Sequence, residues 1–167
     1  MTKIRKIISG GQTGVDQAAL KAALDIGLEA GGWCPPGRIC ESGEIPDEFP
    51  LIETETERSH NAPDVPRSLR TELNVRDADA TLILLPSGLK TDSGTDWTIQ
   101  CATNYRKPFL MVDPFSENAL ERILAWLHKN KIKTLNVAGP SESLSPGIFS
   151  NSYVLLKKVF TLNKQTG

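Results

Sequence analysis

Lys6–Leu20 reads KIISGGQTGVDQAAL. A short apolar run meets a glycine pair and a polar turn, after which Val15, Ala19, Ala22, Ala23 and Ile26 recur at helical spacing. The run predicts a buried strand ending in a tight turn, and the spacing predicts a helix with one apolar face. Strand, glycine turn and helix in that order open a parallel α/β unit.

The alternation continues along the chain. LEAGGWCPPGR, from Leu28, reads as a second short strand that ends near Trp33 and Cys34 and breaks at the proline pair. Pro35 to about Pro66 shows little periodicity and reads as a long ordered excursion, a length that is usually functional in a domain of this size. RSLRTELNVRD (67–77) predicts a short helix with a narrow buried edge. ATLILLP (80–86) is continuously apolar, as a strand buried on both faces is. DWTIQCATNYR (96–106) predicts a helix, PFLMVD (108–113) a central strand, and NALERILAWLHKN (118–130) an amphipathic helix. KTLNVAGP (133–140) is the last strand, and a final helix follows with Ser145 as N-cap and Pro146 in its first turn. This order predicts an α/β fold: one Rossmann-like domain over 1–167, with an open parallel sheet and helices on both faces in three layers. In such a sheet the ligand lies at the carboxyl ends of the strands.

The chain has 167 residues and a formal net charge of −1. Such a balance gives no footprint for nucleic acid or a membrane surface, so the expected partner is a small phosphate-bearing ligand held by local groups. The apolar runs are too short to span a bilayer and no hydrophobic signal region opens the chain, which predicts a cytoplasmic protein. Cys34, Cys40 and Cys101 lack metal or redox spacing and read as reduced, buried thiols. His60 and His128 stand alone, so no metal site made of protein side chains is expected.

Three strand-end loops are rich in glycine and small polar residues: SGGQTGVD (9–16), TDSGTD (91–96) and AGPSES (138–143). Thr13-Gly14-Val15-Asp16 and Ser93-Gly94-Thr95-Asp96 repeat one pattern, each opening a helix. A hydroxyl can cap the helix, an acid one turn on can reach back, and glycine admits a close approach. Two helix N-termini aimed at one crevice could hold an anion without lysine. The candidate ligand contacts are Gly10, Gly11, Gln12, Thr13 and Gly14 in the first loop and Ser93, Gly94, Thr95 and Asp96 in the second. Gly139, Ser141 and Ser143 form the third. Asp16 and Asp96 read as helix-start acids that would need Mg2+ between them and a phosphate. Arg70 and Asn74 lie one turn apart, and Arg70, with its planar fork, is the candidate side-chain anion contact. No Gly-Lys-Ser/Thr ends the first loop, which excludes a Walker P-loop. Ser9-x-Gly11-x-x-Gly14 is similar to a dinucleotide fingerprint with its first glycine replaced, but no acid at the end of the second strand awaits a ribose.

SGGQTGVDQAAL, GGWCPPGR, GEIPDEFPL, RTELNVRDADATLIL, NVAGPSES and SPGIF together resemble, in order and from Ile7 to about Phe149, the blocks of the molybdenum carrier family. Its members are Rossmann-like and related to molybdenum-cofactor carrier proteins. The resemblance implies a carrier, not an enzyme, whose crevice receives molybdenum cofactor. The phosphate would lie on the N–H groups of Gly10–Gly14 or Ser93–Thr95, and the pterin on Trp33 or Trp97. Molybdoenzymes or cofactor-synthesis proteins would be its partners, and association of like subunits through helices beside the sheet is common in related folds. Where the family often has Gly-Gly-Thr, this chain has Ser93-Gly94-Thr95. The same loops also resemble those of the lonely-guy phosphoribohydrolases, whose Pro-Gly-Gly-x-Gly-Thr-x-x-Glu ends in a catalytic glutamate. Here that position is Thr98, which leaves Glu72 and Asp96 as the candidate catalytic acids of a nucleotide N-glycosidase. A nucleotide sensor is the third reading. For all three, a Gly14→Glu change is expected to block the ligand while sparing the fold.

Overall fold

The computed structural model describes residues 2–166. Five strands form one parallel sheet: β1 (Lys6–Ile8), β2 (Glu29–Gly31), β7 (Ala80–Leu84), β8 (Phe109–Val112) and β9 (Thr134–Ala138). Between β2 and β7 the excursion carries β3 (Trp33–Cys34), paired in parallel with β6 (Ile52–Glu53), and the antiparallel hairpin of β4 (Ile39–Cys40) and β5 (Gly43–Glu44). The helices are α1 (Val15–Asp25), α2 (Ser68–Asp77), α3 (Ser93–Asn104), α4 (Ala119–Lys129) and α5 (Ile148–Gln165).

The large core lies between one sheet face and α1, α4 and α5, with Leu20, Ile123, Leu156 and Phe160 packed on Ile7, Leu82 and Leu135. On the other face α2 and α3 enclose a smaller cluster of Val75, Trp97, Cys101 and Ala102. The fold is therefore three-layered and Rossmann-like. β7, the run without alternation, is buried along its whole length.

The sheet order is β2-β1-β9-β7-β8. The last strand of the chain sits in the middle, between the first and the third. If β9 were placed ahead of β1, the order would become the common Rossmann order, so the chain carries that sheet circularly permuted. The direction of winding reverses between β9 and β7. That gap is the topological switch point.

Four local readings change. The second strand breaks one residue early, at Gly32, whose φ of +120° is not a strand conformation; a side chain there would also meet Ser9 O at 2.6 Å and Asn74 Oδ1 at 2.9 Å. Trp33 and Cys34 leave the sheet for β6. PFLMVD is an edge strand, with Phe109 38% exposed, not a central one. The last helix starts at Ile148 with Gly147, not Ser145, as its N-cap, because the Glu142 carboxylate accepts from Gly147 N at 2.6 Å and Phe149 N at 2.9 Å. No helix among the described residues is long and apolar enough to cross a membrane.

Candidate functional site

A cavity of about 170 Å3 opens at the switch point. Its floor is the ends of β7 and β9, at Ile83, Ala138 and Gly139. Ser93, Gly94, Thr95 and Thr98 of α3 form one wall, and Arg67, Arg70 and Thr71 of α2 a second. Gln12, Asp16, Glu41, Pro66, Asp92, Ser141 and Leu144 complete the lining.

Arg70 and Asp16 are the buried charges. Arg70 Nη1 stands 3.4 Å from Asp16 Oδ2, and only 15% and 3% of the two side chains are exposed. Burial raises the Asp16 pKa and the Arg70 guanidinium opposes the rise; burial lowers that of Arg70, and Asp16 opposes it. One long contact leaves most of the guanidinium fork unused. Arg70 Nε is buried with no partner among the described residues, an expensive state for a cationic donor. Gly10 makes room for the fork, since a Cβ there would lie 2.1 Å from Nη1.

Two of the five amides from Gly10 to Gly14 are already engaged, as is that of Val15. Gln12 N donates to Asp16 at 3.2 Å, Thr13 N to Gln12 Oε1 at 3.0 Å and Val15 N to Pro140 O at 3.3 Å. A phosphate on Gly10–Gly14 would compete with these bonds. The second loop differs, because its helix N-terminus lines the cavity. Asp92, not Ser93, is the N-cap of α3 and accepts from Thr95 N at 2.7 Å. Ser93 and Gly94 N–H keep no protein partner among the described residues, as the first amides of a helix do not.

The third loop is tied to the first through the excursion. The Glu41 carboxylate accepts from Thr13 Oγ1, from Ser143 N at 3.0 Å and from Ser143 Oγ at 2.5 Å. Those bonds hold its pKa down, to about 2. A carboxylate depressed in the folded state stabilises the fold above its ordinary pKa near 4.5, and the contribution is lost as pH falls toward 2. Wild type should therefore lose stability on acidification faster than Glu41→Gln, with flat profiles for both from pH 6 to 8. Thermal melts from pH 8 down to about 2 check it, and parallel profiles below pH 4.5 would discard the latch.

Several sequence candidates lie elsewhere. Asn74 is buried but clamps the backbone of Trp33, accepting from its N–H at 2.8 Å and donating to its carbonyl at 3.0 Å. Trp33 Nε1 donates to Asp77 at 2.8 Å outside the cavity, and Trp97 is a core residue whose Nε1 donates to Ser68 O at 3.0 Å. Neither indole offers the cavity a stacking face. Asp96 is exposed on α3 and Glu72 binds Ser59 and Asn61 of the excursion, so neither proposed acid lines the cavity. Thr13, Gly14 and Ser143 line a separate groove beyond Glu41. Asp16 is inside and Asp96 outside, so the pair does not frame a magnesium ion. Among the described residues no three His, Cys, Asp or Glu side chains converge as a metal site. The three thiols are buried, and burial pushes Cys101 up to about 12.

The sequence reading missed Arg67, Glu41 and Asp92 as cavity residues and favoured a helix-start role for Asp16 over one facing a phosphate through Mg2+. Asp92 carried a usable signal, an acid directly before a helix start. The position of Glu41 depends on how the excursion folds back, which local sequence does not encode.

The family model for the circularly permutated YpsA SLOG family matches residues 7–160. The chain belongs to the cpYpsA family. Its name describes a circular permutation, and the central place of β9 is a circular permutation of the common Rossmann order. A cpYpsA-family member is also similar in fold to the 1.45 Å crystal structure of a "putative molybdenum carrier protein" from Syntrophus aciditrophicus SB, with a TM-score of 0.82. The two share 39% identity over 95% of this chain and 96% of that one. No curated protein matches the chain.

Proposed function

We propose that this cpYpsA-family chain is a binding protein for a phosphate-bearing small molecule and serves as a molybdenum-cofactor carrier. One observation carries the anion site: a buried guanidinium with unused donors beside the open N-terminus of α3. Its two free amides and the helix dipole favour a phosphate where Arg70 can reach it. The name of the Syntrophus structure supports a molybdenum-bearing ligand, and the phosphate of the pterin cofactor suits the anion site. At about 170 Å3 the cavity is smaller than the several hundred Å3 usual for a ligand of drug size. In this reading it encloses the phosphate end, and the pterin lies over the rim at Pro66 and Leu144. Anaerobic calorimetry with molybdenum cofactor, with AMP in parallel, tests the reading. Binding of the cofactor supports it; binding of AMP alone would replace the carrier with a nucleotide sensor.

Asp16 gives the hydrolase a second hearing. It is a buried carboxylate beside the anion site, where a charge could face an oxocarbenium-like centre. Asp16→Asn separates the two readings, because it removes a competitor of the phosphate for Arg70. A carrier with this change should bind its ligand as tightly as wild type or tighter, by up to about tenfold. A hydrolase should lose release of free base from AMP by about a hundredfold or more, with Glu72→Gln and Asp96→Asn unaffected. No turnover by wild type on a panel of nucleoside monophosphates would end the enzyme reading.

A further inference from the structure

The two edges of the main sheet differ. At β2 the excursion runs alongside, and Ile52 N donates to Gly32 O at 2.9 Å. At β8 no strand follows. The carbonyls of Pro108 and Val112 accept from Thr81 and Leu85 N–H on the β7 side, at 3.0 and 2.9 Å. Alternation along the strand then turns the N–H and C=O groups of Phe109 and Met111, and the N–H of Asp113, away from the sheet.

Natural edge strands are blunted by charges, bulges or cover. From Pro108 to Val112 this edge bears no charged side chain; Pro108 at its start is the one such device. It is apolar and exposed, with Phe109 and Tyr105 each 38% accessible and Phe115 52%. The charges at its ends are opposite in sign: Arg106 precedes the strand, and Asp113 and Glu117 follow it, while the Lys107 ammonium is turned back onto the carbonyls of Arg76 and Ala78.

We propose that β8 pairs antiparallel with β8 of a second copy of this chain, about a two-fold axis at Met111. Met111 then faces the partner subunit's Met111, and Phe109 faces the partner subunit's Asp113. The Met111 N–H and C=O groups satisfy one another across the axis, and each Asp113 N–H donates to the carbonyl of the partner subunit's Phe109, while the Asp113 carbonyl already accepts from Ser116 N at 3.1 Å. The basic end of each strand meets the acidic end of the other. A parallel β8 pair would instead set like charges together, and addition of a different strand to β8 would leave a new open edge, the route to filaments rather than a closed pair. Self-complementarity of both backbone and charge is what selects a second copy over an unrelated strand.

Sedimentation velocity of the full chain up to roughly 100 µM tests this, since an interface of this size is of the weaker class. The expected species has twice the 18.2 kDa mass of the chain. Met111→Lys brings two cations together on the axis and should weaken the pair by at least about tenfold. Its circular dichroism and thermal midpoint should match wild type, because the side chain lies on a partly exposed edge, and Met111→Leu should still pair. A wild type that stays monomeric throughout overturns the proposal. So does a Met111→Lys dimer as tight as wild type, which would put the contact on another surface.

Discussion

Replacing Arg70 should weaken ligand binding by about a hundredfold, equivalent to roughly 3 kcal/mol for a charged donor to a buried anion. Arg70→Ala alone would also strand Asp16 as a buried carboxylate without its cation, a change that destabilises folds by several kcal/mol. The informative variant is therefore Arg70→Met with Asp16→Asn, which keeps the site filled and removes both charges of the buried pair. It should melt close to wild type and still fail to bind. Calorimetry with molybdenum cofactor reads the loss directly. Arg70→Lys should rescue little, because one ammonium on a flexible stem cannot replace a planar fork in the space that Gly10 leaves. Undiminished affinity in the double variant would move the anion to another group.

Gly14→Ala should unfold the protein more readily instead of blocking the ligand selectively. The residue has φ of +80°, and an added Cβ would stand 2.5 Å from Pro140 O and 2.8 Å from Glu142 N. Both neighbours are backbone, so neither can swing aside. Positive-φ strain and overpacking together cost about 4 kcal/mol, or about 10 °C in thermal midpoint for a chain of this size. The sequence-based expectation for Gly14→Glu is thereby corrected. Gly14 holds the first loop against the third and does not line the main cavity. A thermal midpoint within a degree or two of wild type in Gly14→Ala would show that this contact gives way at little cost.

These two residues also mark how far the sequence can be read. KIISGGQTGVDQAAL disclosed a strand, a tight glycine turn and a helix, because periodicity and turn chemistry are local. The choice of Arg70 drew on its chemistry, and its helix does carry it to the switch point. Spacing could not reveal that Asn74, on the same helix, is spent on the backbone of Trp33. Nor could a continuous apolar run distinguish the buried β7 from the edge strand β8, since that depends on which strand lies beside it. The central place of β9 is a long-range pairing that no local pattern contains. Asp16 looked like an ordinary helix-start acid because its burial arises from Arg70, 54 residues away in the chain.

The central claim is that a phosphate sits between Arg70 and the first turn of α3. Amide shift mapping tests it most directly, with molybdenum cofactor titrated anaerobically into the 15N-labelled chain. The account predicts the largest shifts at Ser93, Gly94 and Thr95, together with the Arg70 Nε–H resonance, and smaller ones at Thr13 and Gly14. Largest shifts in the first glycine loop, with Ser93–Thr95 unmoved, would contradict it.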